Sequence, residues 1–111
     1  MQYTIRVYAT QHGKLPYMEW LREIEDAKTK GVLRLRIDRL AQGSFGHVEP
    51  VGEGVSELKV DFGPGYRIYF GMIGKEIVLL LCGGNKKTQV KDIKFAKEYF
   101  KDYKVREKED G

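Results

Sequence analysis

Residues 55–82 read VSELKVDFGPGYRIYFGMIGKEIVLLLC, and this stretch decides the fold. It contains three runs rich in β-branched and aromatic residues, 56–62, 66–72 and 76–82. They are separated by Gly63-Pro64-Gly65 and Ile73-Gly74-Lys75. Glycine supplies the positive φ that a tight reversal demands, so both connectors predict hairpin turns joining antiparallel strands. The third run is apolar at every position from Ile77 to Cys82. A strand that must bury both faces reads this way, which predicts a central place in the sheet.

A symmetric three-residue turn at 63–65 sets Phe62 against Tyr66, Val60 against Ile68 and Leu58 against Phe70. Side chains alternate across a strand, so Glu57, Lys59, Asp61, Arg67 and Tyr69 then share the opposite face. In that register Lys59 stands opposite Tyr69, and Asp61 opposite Arg67. Two readings stay open for such a patch. It is a reactive surface, or it is an ordinary cross-strand ion pair beside a surface packing pair.

Upstream of the hairpin, residues 3–8 alternate, with Tyr3, Ile5 and Val7 on one side and Thr4, Arg6 and Tyr8 on the other. That is the period of a half-buried strand. Leu15, Met18, Leu21 and Ile24 then recur every third residue, with Pro16 in a first-turn position that tolerates it, and predict a helix ending near Glu25 or Asp26. A second helix is expected over 28–41, with Leu33, Ile37, Leu40 and Ala41 inward and Gly43 as terminator. Residues 44–54, with three glycines and a proline, read as a surface loop.

Downstream, Gly83-Gly84-Asn85-Lys86-Lys87-Thr88 leads from the central strand into a helix over 88–103. Its inner stripe is Ile93, Ala96, Phe100 and Tyr103, and Lys91, Lys94, Lys97, Lys101 and Lys104 decorate its outside. Residues 104–111 are expected to fray. The order β-α-α-β-β-β-α describes one α+β domain, a compact antiparallel sheet with two N-terminal helices and one C-terminal helix.

Lys and Arg number 20 against 16 Asp and Glu, a formal charge of +4. The excess concentrates in 86–108, with nine basic and four acidic residues. Such a block attracts phosphates, although a solvated helix face explains a charge run as well. Cys82 is the only cysteine, which excludes an internal disulfide and a thiolate cluster. The two histidines, His12 and His47, lie far apart in sequence, so neither metal nor cofactor is expected. No signal-like apolar stretch opens the chain and no run is long enough to span a bilayer, so a cytoplasmic protein without membrane contact is expected.

The hairpin inventory suits RNA cleavage without a metal. The ribose 2′-hydroxyl must lose a proton, the phosphorane needs charge stabilisation, and the leaving 5′ oxygen must gain a proton. Glu57 or Lys59 can serve as base, and Arg67 can grip two phosphate oxygens at once. Lys86 and Lys87 stand where the central strand exits, beside a helix N-terminus suited to a phosphate.

The same residues carry a family likeness. The segment 55–70, the strand end Leu81-Cys82-Gly83-Gly84, the following Asn85-Lys86-Lys87-Thr88-Gln89, and then Asp92-Ile93, Ala96 and Tyr99 resemble the addiction-module killer proteins. These form a HigB-like branch of the RelE/ParE toxins, and the likeness covers nearly the whole chain. It implies a compact RelE-like domain acting as the toxin of a type II toxin–antitoxin module. The implied activity is a ribosome-dependent, metal-independent endonuclease that cuts mRNA in the 30S A site and so inhibits translation. The implied partners are the ribosome, its message and a cognate antitoxin of helix-turn-helix type.

By that resemblance Arg67 matches a transition-state arginine, and Lys59 a strand lysine that contacts or activates the scissile phosphate. Glu57 becomes an alternative base, and Lys86 falls near a second catalytic arginine. Lys87, Tyr69, Lys91 and Lys94 are the expected RNA- and phosphate-binding residues. Asp92 falls near the place of a C-terminal tyrosine that this chain lacks, and the paired histidines of some relatives are absent. Two other readings share the fold. One is a ParE-like inhibitor of DNA gyrase without nuclease activity, the other a non-catalytic nucleic-acid-binding module.

Overall fold

The structure, a computed structural model, describes residues 2–110. It runs β1 (Thr4–Val7), α1 (Pro16–Glu23), α2 (Ala27–Ala41), β2 (Val48–Gly52), β3 (Val55–Val60), β4 (Tyr66–Ile73), β5 (Ile77–Asn85), a 3-10 turn (Lys86–Thr88) and α3 (Gln89–Asp110). This is an α+β domain with the expected order of elements and one strand more. The sheet order is β1-β5-β4-β3-β2. β5 is an interior strand flanked by β1 and β4, as its apolar sequence requires. The middle of the sheet is β4, not β5 as expected.

The sheet is mixed rather than purely antiparallel, because β1 lies parallel to β5, with Ile5 beside Val78 and Val7 beside Leu80. The two intervening helices supply the crossover that a parallel pair needs. The extra strand, β2, forms inside the expected loop 44–54 and pairs antiparallel with β3. Pro50 fits there because β2 is an edge strand, where a missing N–H breaks no ladder.

The hairpin register differs from the expected one by two residues. Val60 faces Tyr66, Lys59 faces Arg67, Leu58 faces Ile68 and Glu57 faces Tyr69. The reversal takes in Asp61 and Phe62 as well as Gly63-Pro64-Gly65. Phe62 N–H bonds back to Val60 O at 3.0 Å, and Gly65 N–H to Phe62 O at 3.0 Å. Gly63 and Gly65 both adopt positive φ, 55° and 82°. Phe62 thereby leaves the ladder and packs against the core beneath α1 and α2. A shift of two residues changes every partner but leaves each side chain on its face.

Helices cover both faces of the sheet. On one, Tyr17, Leu33 and Leu40 from α1 and α2 meet Leu58, Val60, Ile68, Phe70, Val78 and Leu80. On the other, Ala96 and Phe100 from α3 meet Tyr8, Val55, Tyr69, Leu79, Leu81 and Cys82. The ring of Phe100 lies so close to Gly71 that a Cβ there would stand 2.6 Å from its Cζ. A glycine in mid-strand is what lets α3 settle onto this face. The expectation of an open polar face on the hairpin is corrected accordingly, since α3 roofs much of it.

The tail is ordered too. Where 104–111 was expected to fray, α3 continues to Asp110. Arg106 donates from Nη2 to Ala9 O at 2.5 Å and from Nε to Asp102 at 3.0 Å, and Tyr8 donates its hydroxyl to Asp102 at 2.5 Å. These contacts tie the final turns to the end of β1.

Candidate active site

β3 and β4 place Lys59 and Arg67 directly opposite one another on the face that α3 partly covers. Like charges paired across a ladder repel, and the arrangement is relieved by carboxylates beside them or by an anion between them. Each cation has a carboxylate beside it. Lys59 Nζ lies 3.2 Å from Glu49 Oε2. Arg67 Nε lies 3.8 Å from Glu57 Oε2, and its side chain retains 11% exposure. That Nε is buried and has no hydrogen-bond partner among the described residues. A buried donor left unpaired costs about 1–3 kcal/mol, and the Glu57 carboxylate beside it offsets part of that cost by its charge.

Glu57 occupies a different position from the one expected. It is 1% exposed. Its Oε2 accepts from the Tyr69 hydroxyl at 2.9 Å and from Gln89 Nε2 at 2.8 Å. Burial, followed by that hydrogen bond to the carboxylate, pushes the Tyr69 phenol far above its ordinary pKa. Glu57 therefore anchors the first turn of α3 to the sheet and stands behind Arg67, out of reach of a bulky substrate. Tyr69 is fully buried, so the expected RNA contact from this residue is corrected to a structural one. Asp61 lies exposed in the turn and does not oppose Arg67.

The surface carboxylate is Glu49, which the sequence reading left in a loop. It lies between His47 and Lys59, 3.1 Å from His47 Nε2 on one oxygen and 3.2 Å from Lys59 on the other. The His47 hydrogen bond and then the Lys59 ammonium hold its carboxyl below the usual range. His47 is exposed, and Lys59 N–H bonds to His47 O at 2.9 Å, which fixes the imidazole segment against β3. Imidazole is the side chain best suited to exchange protons near neutral pH. The signal that could have found both residues is the alternation of His47, Glu49 and Val51, hidden by the surrounding glycines and Pro50.

At the strand exit, Lys86 N–H bonds to Gly65 O at 3.1 Å, which brings the 3-10 turn beside the hairpin tip. Lys86 and Lys87 are exposed there, just past the Tyr66–Asn85 pair that follows Arg67–Gly84 in the ladder. The turn's amides are already used. Asn85 Oδ1 accepts from Lys87 N at 2.8 Å and from Thr88 N at 3.2 Å. Asp92 bonds to the Thr88 hydroxyl and occupies the space over Gly84. A carboxylate thus stands where a phosphate was expected at the helix N-terminus, and that seat is corrected to a structural cap. Gly83 and Gly84 have the same explanation, since a Cβ would collide with Trp20 at the first and with Asp92 at the second.

The two remaining lysines diverge. Lys94 lines a groove facing the β2–β3 turn. Lys91 lies on the other flank of α3, in a groove with Glu23, Glu25, Asp26 and Asp92. The structure therefore assembles Lys59 and Arg67 with His47, Glu49 and the buried Glu57, sets Lys86 and Lys87 at the rim, and leaves Lys91 outside. Cys82 is buried, and burial pushes its thiol up to about 12, so it is no nucleophile.

No family model matches the chain. Over 94 residues it is 42% identical to an uncharacterized protein of Haemophilus influenzae, an alignment covering 85% of this chain and 91% of that one. The chain belongs to the family of that Haemophilus protein. No helix among the described residues is long and apolar enough to cross a membrane.

Proposed function

We propose that this protein is a RelE-like toxin of a toxin–antitoxin module, a ribosome-dependent mRNA endonuclease acting without a metal in its chemical step. The observation that carries the reading is the cross-strand Lys59–Arg67 pair, two cations held opposite one another on the hairpin. A guanidinium can donate to two non-bridging oxygens of one phosphate, and those bonds strengthen as charge builds in the transition state. Glu57, clamped from behind by Tyr69 and Gln89, holds that guanidinium in place. In this reading His47, hydrogen-bonded to Glu49, takes the 2′-hydroxyl proton. The 2′ oxygen then bonds to phosphorus as the bond to the 5′ oxygen breaks, and Lys59 or a water protonates the departing 5′ oxygen. The products are a 2′,3′-cyclic phosphate and a 5′-hydroxyl. Lys86 and Lys87 extend the positive rim towards neighbouring phosphates.

The cell-level reading follows from the resemblance described above: a cytoplasmic toxin, with the ribosome positioning the message and a helix-turn-helix antitoxin neutralising it. Expression of the chain alone in bacteria is expected to arrest growth, with translation failing before DNA supercoiling changes. Purified protein added to intact 70S ribosomes with a defined message is expected to cut in the A-site codon, as read by primer extension. Arrest with intact messages and early changes in supercoiling would replace this reading with gyrase inhibition.

A further inference from the structure

We infer that the groove between α3 and the β2–β3 turn is a track for a single-stranded RNA running on from the Lys59–Arg67 face, gripped through its phosphates without regard to sequence. The groove encloses about 540 Å³ and is lined by Glu53, Lys94, Lys97, Glu98, Lys101 and Lys104. Four ammonium groups face two carboxylates. None of the four lysines is in an ion pair among the described residues. Lysines three and four residues apart on one helix face repel one another, and a polyanion removes that repulsion.

The groove shares no lining residue with the candidate site, but α3 leads from one to the other. α3 begins at Gln89, which bonds to Glu57 behind Arg67. It then descends along β3 towards the β2–β3 turn, so that Phe100 packs on Gly54, and Lys97 Nζ stands 3.2 Å from where a Cβ of Gly52 would be. Between Lys94, Lys97, Lys101 and Lys104 the helix rises by about 4.5, 6 and 4.5 Å. These steps set one cation after another along the helix that leads away from the Lys59–Arg67 face. Every lining residue is charged. The lysine stems give the groove apolar walls, and its crown of ammonium groups favours a polyanion over an uncharged partner. Lysine presents a mobile point charge rather than a planar fork, which suits contacts that position a backbone but read no base.

The choice of RNA rests on the endonuclease reading, and the test separates the two. Fluorescence anisotropy would follow full-length protein binding a 12-nucleotide 2′-O-methyl strand, which cannot be cleaved, across a salt series. In the Lys97→Ala/Lys101→Ala variant the slope of log affinity against log salt is expected to fall by about 1.4, at about 0.7 per lysine for a single strand. Lys97→Arg/Lys101→Arg is expected to keep the wild-type slope, which excludes a folding defect as the cause. Equal slopes for the wild type and the alanine variant would overturn the track, as would failure of the strand to bind, or tighter binding of polyglutamate than of RNA. If slopes change while the wild type neither arrests growth nor cuts message, the endonuclease reading fails and the track stands. If cutting is intact and slopes are equal, the track fails alone.

Discussion

Replacing Tyr69 with phenylalanine separates the structural role of the phenol from a chemical one. The ring is fully buried and its hydroxyl donates to Glu57 Oε2 at 2.9 Å. Phenylalanine keeps the ring packing and deletes one hydrogen bond to a carboxylate, a bond worth about 1.5–3 kcal/mol. Gln89 still donates to the same oxygen at 2.8 Å, so Glu57 is not orphaned and the loss should lie near 2 kcal/mol. For a domain of this size the urea slope is about 1–3 kcal/mol per M, which places the expected fall of the midpoint near 1 M. The corresponding fall in Tm is about 8 °C. Urea melts followed by the fluorescence of Trp20 measure this directly. Gln89→Ala and the double variant complete a cycle, and coupling is expected because both donors share one oxygen. Growth arrest and codon cutting at permissive temperature should match the wild type, since Lys59 and Arg67 keep their places. An unchanged midpoint would refute the clamp on Glu57. An unchanged midpoint with lost cutting would return Tyr69 to the chemistry.

Arg67→Ala is expected to lower codon cutting by about 10²–10³, the usual cost of one transition-state donor. It should also lower stability by about 3 kcal/mol, because it leaves the buried Glu57 carboxylate without its cation. Arg67→Lys keeps a charge there and should still rescue cutting poorly because it lacks the fork. Full toxicity of Arg67→Ala at equal expression would place the active face elsewhere. Gly84→Ala pushes a methyl group into Asp92 and Thr88, so a loss of about 1–3 kcal/mol from overpacking is expected in urea melts. The Tyr8–Asp102–Arg106 network makes stability depend on pH at both extremes. The Tyr8 hydroxyl bond and the Arg106 guanidinium lower the Asp102 carboxyl, so its contribution is present above the unfolded pKa and is lost as pH falls through the folded one. Burial and Asp102 raise the Tyr8 phenol from 10.0 to about 12, so its contribution is full below pH 10 and disappears as pH rises towards 12. Melts of wild type and Asp102→Asn across pH should converge in acid and separate near neutrality; parallel curves would remove the network from the balance.

Some of the candidate site was legible because alternation is a local property. Lys59 and Arg67 fall on the face opposite Leu58 and Ile68 in any even register, so a two-residue error in the turn left them side by side. The partners of Glu57 were not legible. Gln89 is distant in sequence and reaches Glu57 only because α3 folds back over Gly71. His47 and Glu49 were read as loop because three glycines and Pro50 mask a short edge strand, and an edge strand is stabilised by its neighbour more than by its own residues. Asp92 over Gly84 was likewise invisible, since a two-glycine exit suits an anion-binding loop and a crowded packing site equally.

What the sequence by itself determined is every element except β2, with its inner face: the interior place of β5, the amphipathic helices, and the division of the hairpin into apolar and charged sides. Those follow from periodicity within a few residues, which backbone geometry imposes wherever a segment lies. What only the tertiary structure decided is which charged residues are buried. α3 could settle on the hairpin face only where Gly71, Gly83 and Gly84 leave room for Phe100, Trp20 and Asp92. That placement turned Glu57 and Tyr69 into supports, left Arg67 with a buried unpaired donor, and moved the exposed carboxylate to Glu49. Burial is the sum of contacts made by segments far apart in the chain, and no local pattern encodes it.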